Sequence, residues 1–183
     1  MVENLGSQTA LCLIALGSNL GARGALLSKA LVAIEGLGVV RAFSHVFETV
    51  PLGPSVAPFL NAALALETGL PPLALLQRLL AIETQNGRTR AVHWGARTLD
   101  LDLLLAGEQL IAGPGLVVPH PRLHERAFVL APLMCIADAA IIPGLGFTVA
   151  SAWRAISHAG VRLYEGSDVP APRASKLATL QGS

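Results

Sequence analysis

Neither of the common glycine-rich phosphate loops occurs in this chain: there is no G-x-x-x-x-G-K-[ST] and no G-x-G-x-x-G. Any nucleotide phosphates would have to be held by side chains and metal instead. Cysteine is scarce as well. Cys12 and Cys135 stand alone, far apart, in apolar sequence, which argues against a disulfide scaffold and suits reduced thiols in the cytoplasm. Long apolar runs are missing, because Asp100 and Asp102, Asp138, and Pro143 with Gly144 interrupt every stretch before the ~18 residues of a spanning helix, so no membrane is expected. Residues 1 to 17 carry Glu3 and no Lys or Arg, and read as a first strand rather than a signal peptide. Charge of one sign is lacking too: 13 Lys and Arg against 12 Asp and Glu leave +1, which provides no field for nucleic acid. His120 and His124 have H-x-x-x-H spacing without a Cys pair or an H-E-x-x-H pattern, so no zinc centre is expected. No internal repeat is found.

What the chain does have is aliphatic bulk. It is 52% hydrophobic and 14% charged, with a mean hydropathy of +0.58, which excludes disorder. At 183 residues a single domain burying about 70% of its unfolded surface is expected. We place that domain over residues 1–165 and a flexible tail over 166–183, where Pro170, Pro172 and small polar residues accumulate. The apolar run 10–16 reads as a buried strand, followed by a turn at Gly17-Ser-Asn-Leu-Gly21 with a helix-capping Ser or Asn. Leu27, Ala30, Leu31, Ile34 and Leu37 repeat at helical spacing, 39–48 alternates as a strand, and Pro and Gly mark a loop over 49–58. A strand over 59–68 and a helix starting at Pro71 and Pro72 follow. Then come a basic loop, 88–97, and a strand carrying Asp100 and Asp102. The order β-α-β-β-α-β predicts an α+β, ferredoxin-like antiparallel sheet with both helices on one face and the other face left for loops and ligands. A hairpin around 106–109, a helix from about Glu125 interrupted by Pro132, and a helix over 148–158 complete the C-terminal part.

The chemistry concentrates around residues 88 to 102. Side chains alternate along a strand, so Asp100 and Asp102 share one face while Leu99, Leu101 and Leu103 take the other. Two neighbouring carboxylates repel each other, and a hard divalent cation with oxygen ligands relieves that repulsion. Arg88, Arg90 and Arg97 fall within a ten-residue stretch shortly before them and suit polyphosphate oxygens. Three of the eight aromatic residues sit beside polar elements: Phe59 near Asn61, Trp94 in the basic loop, and Phe128 near Arg126. Such rings suit a flat heterocycle. His120 with Arg126 fits a phosphate neighbourhood.

The stretch from His93-Trp-Gly-Ala-Arg97 to Leu104 resembles the signature of the 6-hydroxymethyl-7,8-dihydropterin pyrophosphokinases of folate biosynthesis. Further matches follow in the family's order: Ala15 to Gly21, Glu48 to Pro54, Phe59 to Ala62, Ile82-Glu83, Gly87 to Arg90, Val118 to Arg122 and Arg126 to Leu133. The resemblance implies ATP-dependent transfer of a diphosphate to the hydroxymethyl oxygen of the pterin, giving AMP. It further implies two Mg²⁺ ions held by Asp100 and Asp102, with Arg88 and Arg97 as catalytic arginines. Glu83, Arg88, Arg90, Arg97, His120 and Arg126 are implied to contact ATP. Thr49, Leu52, Phe59, Asn61, Trp94 and Phe128 are implied to bind the pterin. A cytoplasmic monomer with ATP and the pterin as partners, and no nucleic acid or membrane partner, is the expectation. The alternatives are a two-metal phosphohydrolase, which would turn over nucleotide with water alone, and a non-catalytic ferredoxin-like nucleotide- or RNA-binding module, whose aromatic strand pattern is missing here.

Overall fold

The computed structural model describes residues 9–50, 57–87 and 98–173. The elements run β1 (Ala10–Ser18), α1 (Arg23–Glu35), β2 (Val39–Phe43), β3 (Phe47–Thr49), β4 (Phe59–Thr68), α2 (Pro72–Gln85) and β5 (Asp100–Ala106). They continue with β6 (Ile111–Gly113), β7 (Leu116–Val118), α3 (Ala127–Ile136), α4 (Val149–Arg154) and β8 (Val161–Leu163). Strand β1 is central and pairs antiparallel with β4 on one side and β5 on the other. The sheet order is β5-β1-β4-β3-β8, and β2 also pairs with β4. This is the expected ferredoxin-like arrangement with one more strand, β8, added beyond β3.

Alternation divides the strand side chains between two cores. Ile14 and Leu16 of β1, Leu64 and Leu66 of β4, and Leu101 and Leu103 of β5 meet Leu27, Leu31 and Ile34 of α1 and Leu75, Leu79 and Ile82 of α2. On the other face Leu13, Ala63, Ala65, Leu104 and Leu105 meet Val129, Leu130 and Leu133 of α3 and Val149 and Ala152 of α4. Each fully buried leucine contributes about 1.5–3 kcal/mol of transfer free energy. The second face is therefore not left to loops throughout, as the element order suggested. Helices α3 and α4 cover the half around Leu13, Ala65 and Leu105, and the half around Gly17 remains for a site.

Four local expectations change. The strand expected over 39–48 is two strands, because Ser44 steps out of the ladder: its N–H still reaches the Ala63 carbonyl at 2.9 Å, but its Oγ, not a carbonyl, accepts the Ala63 N–H at 2.9 Å. Pro132 lies inside α3 without ending it; the missing N–H costs one bond to the carbonyl four residues back, and burial of Leu130, Leu133 and Ile136 holds the helix. The C-terminal hairpin forms between β6 and β7 rather than around 106–109. Helix α4 stops at Arg154, with Thr148 accepting the Ser151 N–H at its start. The chain then returns to the sheet. At the end of the described residues Phe43 and Arg173 exchange backbone hydrogen bonds of 2.8 and 2.9 Å, and Arg173 pairs with Glu35 of α1. Among the described residues no helix is long and apolar enough to cross a membrane.

Candidate active site

Three adjacent strands bring one row of residues together. Gly17 of β1 stands opposite Asn61 of β4 on one side and Asp100 of β5 on the other. One step along, Ala15 stands opposite Asp102. All of these project away from α1 and α2. A Cβ at Gly17 would lie 3.3 Å from Asn61 Oδ1, 3.7 Å from Asp100 Cβ and 3.9 Å from Phe59 Cδ1, so the glycine provides a floor on which those three side chains converge. Asp100 and Asp102 share one face of β5, as the alternation predicted, and both are half-buried.

At the β4 end, Phe59 pairs across the ladder with Thr49. Asn61 Nδ2 donates to Thr49 Oγ1 at 2.8 Å, and both residues are buried. That bond fixes the Asn61 amide and turns its Oδ1 toward Gly17. Ser18 and Asn19, read from the sequence as a helix cap, do something else. Helix α1 has Ala22 at its N-cap and no side-chain cap. Ser18 Oγ instead donates to the Thr98 carbonyl at 2.5 Å, and Asn19 Nδ2 donates to the Ala57 carbonyl at 3.3 Å. These two buried polar residues thus tie the β1 turn to the chain just before Phe59 and just before Asp100. Nothing in their spacing distinguishes that job from capping.

Beyond the outer edge of β5 lies a cleft of about 400 Å³ whose wall includes Asp102, His120, Leu76, Leu103, Leu116 and Val117. Its apolar sides and single acidic end suit a flat base joined to a phosphate chain. The sequence reading missed Leu76, Leu116 and Val117, because the wall forms only when the β6–β7 hairpin folds against β5. His120 is held by its N–H on the Leu104 carbonyl at 2.9 Å. Burial holds its imidazole below the ordinary pKa, Asp102 pulls it back up, and Arg126 presses it down further. Its Nδ1 accepts the Arg122 N–H at 3.3 Å, so the neutral ring carries its proton on Nε2. At the start of α3 the Arg126 guanidinium lies 5.6 Å from the centre of the Phe128 ring, and Phe128 packs half-buried beside the second core.

Glu83 differs from the other expected ATP contacts. It is 1% exposed, and its Oε1 accepts the N–H of Leu101, the residue between the two aspartates, at 2.7 Å. Leu52, Arg88, Arg90, Trp94 and Arg97 lie outside the described residues.

The donors present fit a hard cation. Two carboxylates two residues apart on one strand face offer oxygen ligands only. Among the described residues no cluster of three or more His, Cys, Asp or Glu could hold a metal unaided. A pair of carboxylates leaves the remaining positions of a hard cation such as magnesium to waters and substrate phosphates.

Comparison with known proteins bears on the family and the fold. Residues 13–138 match the family model described as 7,8-dihydro-6-hydroxymethylpterin-pyrophosphokinase. The 2-amino-4-hydroxy-6-hydroxymethyldihydropteridine pyrophosphokinase of Pseudomonas aeruginosa is 48% identical over 133 residues, which cover 71% of this chain and 82% of that one. The Bacillus subtilis protein of the same name is 46% identical, covering 66% and 74%. Among solved structures, a Plasmodium falciparum HPPK-DHPS variant with pterin and p-hydroxybenzoate superposes with a TM-score of 0.65 at 13% identity, over 81% of this chain. This chain spans 43% of that longer protein, and the likeness speaks to the fold alone. The family model matches more than half of the sequence, and close relatives align along most of their own length. The chain belongs to the 7,8-dihydro-6-hydroxymethylpterin pyrophosphokinase family.

Proposed function

We propose that the chain transfers the terminal diphosphate of ATP to the hydroxymethyl oxygen of 6-hydroxymethyl-7,8-dihydropterin, and that the reaction runs along the row Asn61, Gly17, Asp100. This row is the observation that carries the reading, because it sets an amide suited to a heterocycle's polar edge and a carboxylate suited to a hard cation on one glycine floor. In this reading the pterin lies at the β4 end. The fixed amide of Asn61 reads its polar edge, Thr49 and Leu52 line the pocket, and Phe59 and Phe128 supply ring faces, with Trp94 contributing from the basic segment. The base of ATP occupies the cleft outside β5, His120 donates from Nε2 to a phosphate oxygen, and Arg126 adds positive charge. Arg88 and Arg97, with Arg90, are assigned to the moving diphosphate on their sequence positions. Two magnesium ions held by Asp100 and Asp102 would supply charge neutralisation at the phosphates and orient the attacking hydroxyl. Glu83 serves the nucleotide by holding β5. None of the described residues in the row is placed as a strong general base, so the chain contributes positioning and electrostatics. A cytoplasmic monomer belongs to the same reading.

The test is a product assay with MgATP, with and without the pterin, resolving AMP, ADP and phosphate. AMP formed only with pterin, and in equal amount to a pterin diphosphate, is the expected result. ADP or phosphate formed without pterin would instead indicate hydrolysis. A second expectation concerns the floor of the site. Gly17→Val should force Asn61, Phe59 and Asp100 apart and raise KM for the pterin by about 10- to 100-fold. Unchanged pterin KM in the folded variant would remove Gly17 from the site.

A further inference from the structure

The matched family region ends at residue 138, yet the chain after α4 returns to the sheet next to the pterin end of the site. Strand β3, only three residues long, lies between β4 and β8. Without β8 it would be a short edge strand. The later segment holds it at both ends: Tyr164 N–H reaches the Val46 carbonyl at 2.9 Å, and Val50 N–H reaches the Gly160 carbonyl at 3.1 Å. The second contact needs glycine. Gly160 has φ +77°, and a Cβ there would sit 2.2 Å from Val50 Cγ2.

In the middle of β3, Glu48 pairs in register with Leu60 of β4 and Arg162 of β8. The residue is 8% exposed, and its carboxylate accepts from two arginines. Arg162 donates to Oε2 through Nε at 3.0 Å and also through Nη2. Arg23, the first residue of α1, donates from Nη1 to Oε1 at 2.9 Å. The same Arg23 Nη1 donates to the Pro58 carbonyl at 2.7 Å, and its guanidinium lies 5.9 Å from the centre of the Tyr164 ring. Glu48 precedes Thr49, and Pro58 precedes Phe59. One hydrogen-bonded group therefore joins the residues before both members of the Thr49–Phe59 pair, from the sheet face opposite the site.

We infer that β8, with the flanking Gly160 and Tyr164, forms a clamp on the pterin side of the site, in which Arg162 and Arg23 are positioning residues acting through Glu48 on Thr49, Phe59 and Asn61. The inference rests on the reading of those three residues as the pterin side. The Arg162 side chain is largely exposed, so its ion pair contributes little to stability. What it fixes is the direction of the carboxylate and hence the lie of a three-residue strand. The hydrogen bond from Arg162 is the main reason the Glu48 carboxyl stays below its usual pKa range; burial opposes it and Arg23 assists. The clamp is therefore charged at neutral pH.

Steady-state kinetics on the full chain, varying 6-hydroxymethyl-7,8-dihydropterin and MgATP separately, test this. Arg162→Met should raise KM for the pterin about tenfold, equivalent to ~1.4 kcal/mol, and leave KM for ATP within about twofold. Arg162→Lys should recover most of the loss. Arg173→Met, which breaks the other anchor of the same segment at Glu35, should change neither constant. Should Arg162→Met fail to fold, Glu48→Gln carries the same expectation. Wild-type pterin KM in Arg162→Met or Glu48→Gln, or equal rises for both substrates, would overturn the clamp. Asn61→Ala belongs in the same panel. If it raises pterin KM while the clamp variants do not, the clamp alone fails; if it leaves pterin KM unchanged, the pterin reading fails and the clamp with it.

Discussion

Asp102→Ala is expected to give a folded protein whose kcat falls by about 10³-fold or more. The side chain is half-buried on the open half of the sheet face, opposite Ala15, and belongs to no apolar core. Its removal also relieves the repulsion between two carboxylates on one strand face. Stability should therefore hold while the proposed magnesium sites lose one of their two carboxylates. Asp102→Asn sharpens the experiment, because it keeps the shape and an oxygen but lacks the charge. Both variants should melt near wild type and form AMP at a small fraction of the wild-type rate. Turnover like the wild type in either would remove Asp102 from the mechanism.

Glu83→Ala should have the largest effect on stability, about 3 kcal/mol, assembled from two losses. The Leu101 N–H, on the outer edge of the sheet, loses its acceptor, at about 1–3 kcal/mol for a buried unsatisfied group. Truncating a side chain that is 1% exposed also leaves a cavity between α2 and β5. The activity should fall with it, because Leu101 lies between the two aspartates and its backbone sets their spacing. Glu83→Gln keeps an acceptor at the same reach and should restore much of both. Urea unfolding beside AMP formation separates the outcomes. A variant as stable as wild type would show that the bond to Leu101 contributes nothing, and lost activity with unchanged stability would point instead to a direct contact with ATP.

Where local alternation sets the conformation, the amino-acid order alone is legible. Asp100 and Asp102 among leucines announce a strand with one wet face, and β4 begins and ends where the pattern 59–68 does. The break at Ser44 could not be read in the same way. The alternation of apolar residues continues through it, and only the Ala63 N–H reveals that a hydroxyl has replaced a carbonyl. Pro170 and Pro172 suggested a loose end. Its anchors, Phe43 and Glu35, lie more than a hundred residues away in sequence, where no spacing rule reaches. The site divides likewise. Its charged and aromatic members carry recognisable types in a recognisable order. The apolar wall of the cleft and the work of Ser18 and Asn19 come from ordinary residues whose meaning depends on what folds beside them.

The row from Asn61 through Gly17 to Asp100 also acts as a ruler. Neighbouring strands lie about 4.8 Å apart, so the backbone positions that carry the amide and the carboxylate are separated by about 10 Å, a length fixed by hydrogen bonding between main chains rather than by any side chain. In the proposed reading, that length separates the amide that reads the pterin edge from the carboxylate that holds the metal. Side-chain substitutions can blunt either end of this gauge, but they cannot easily change its length.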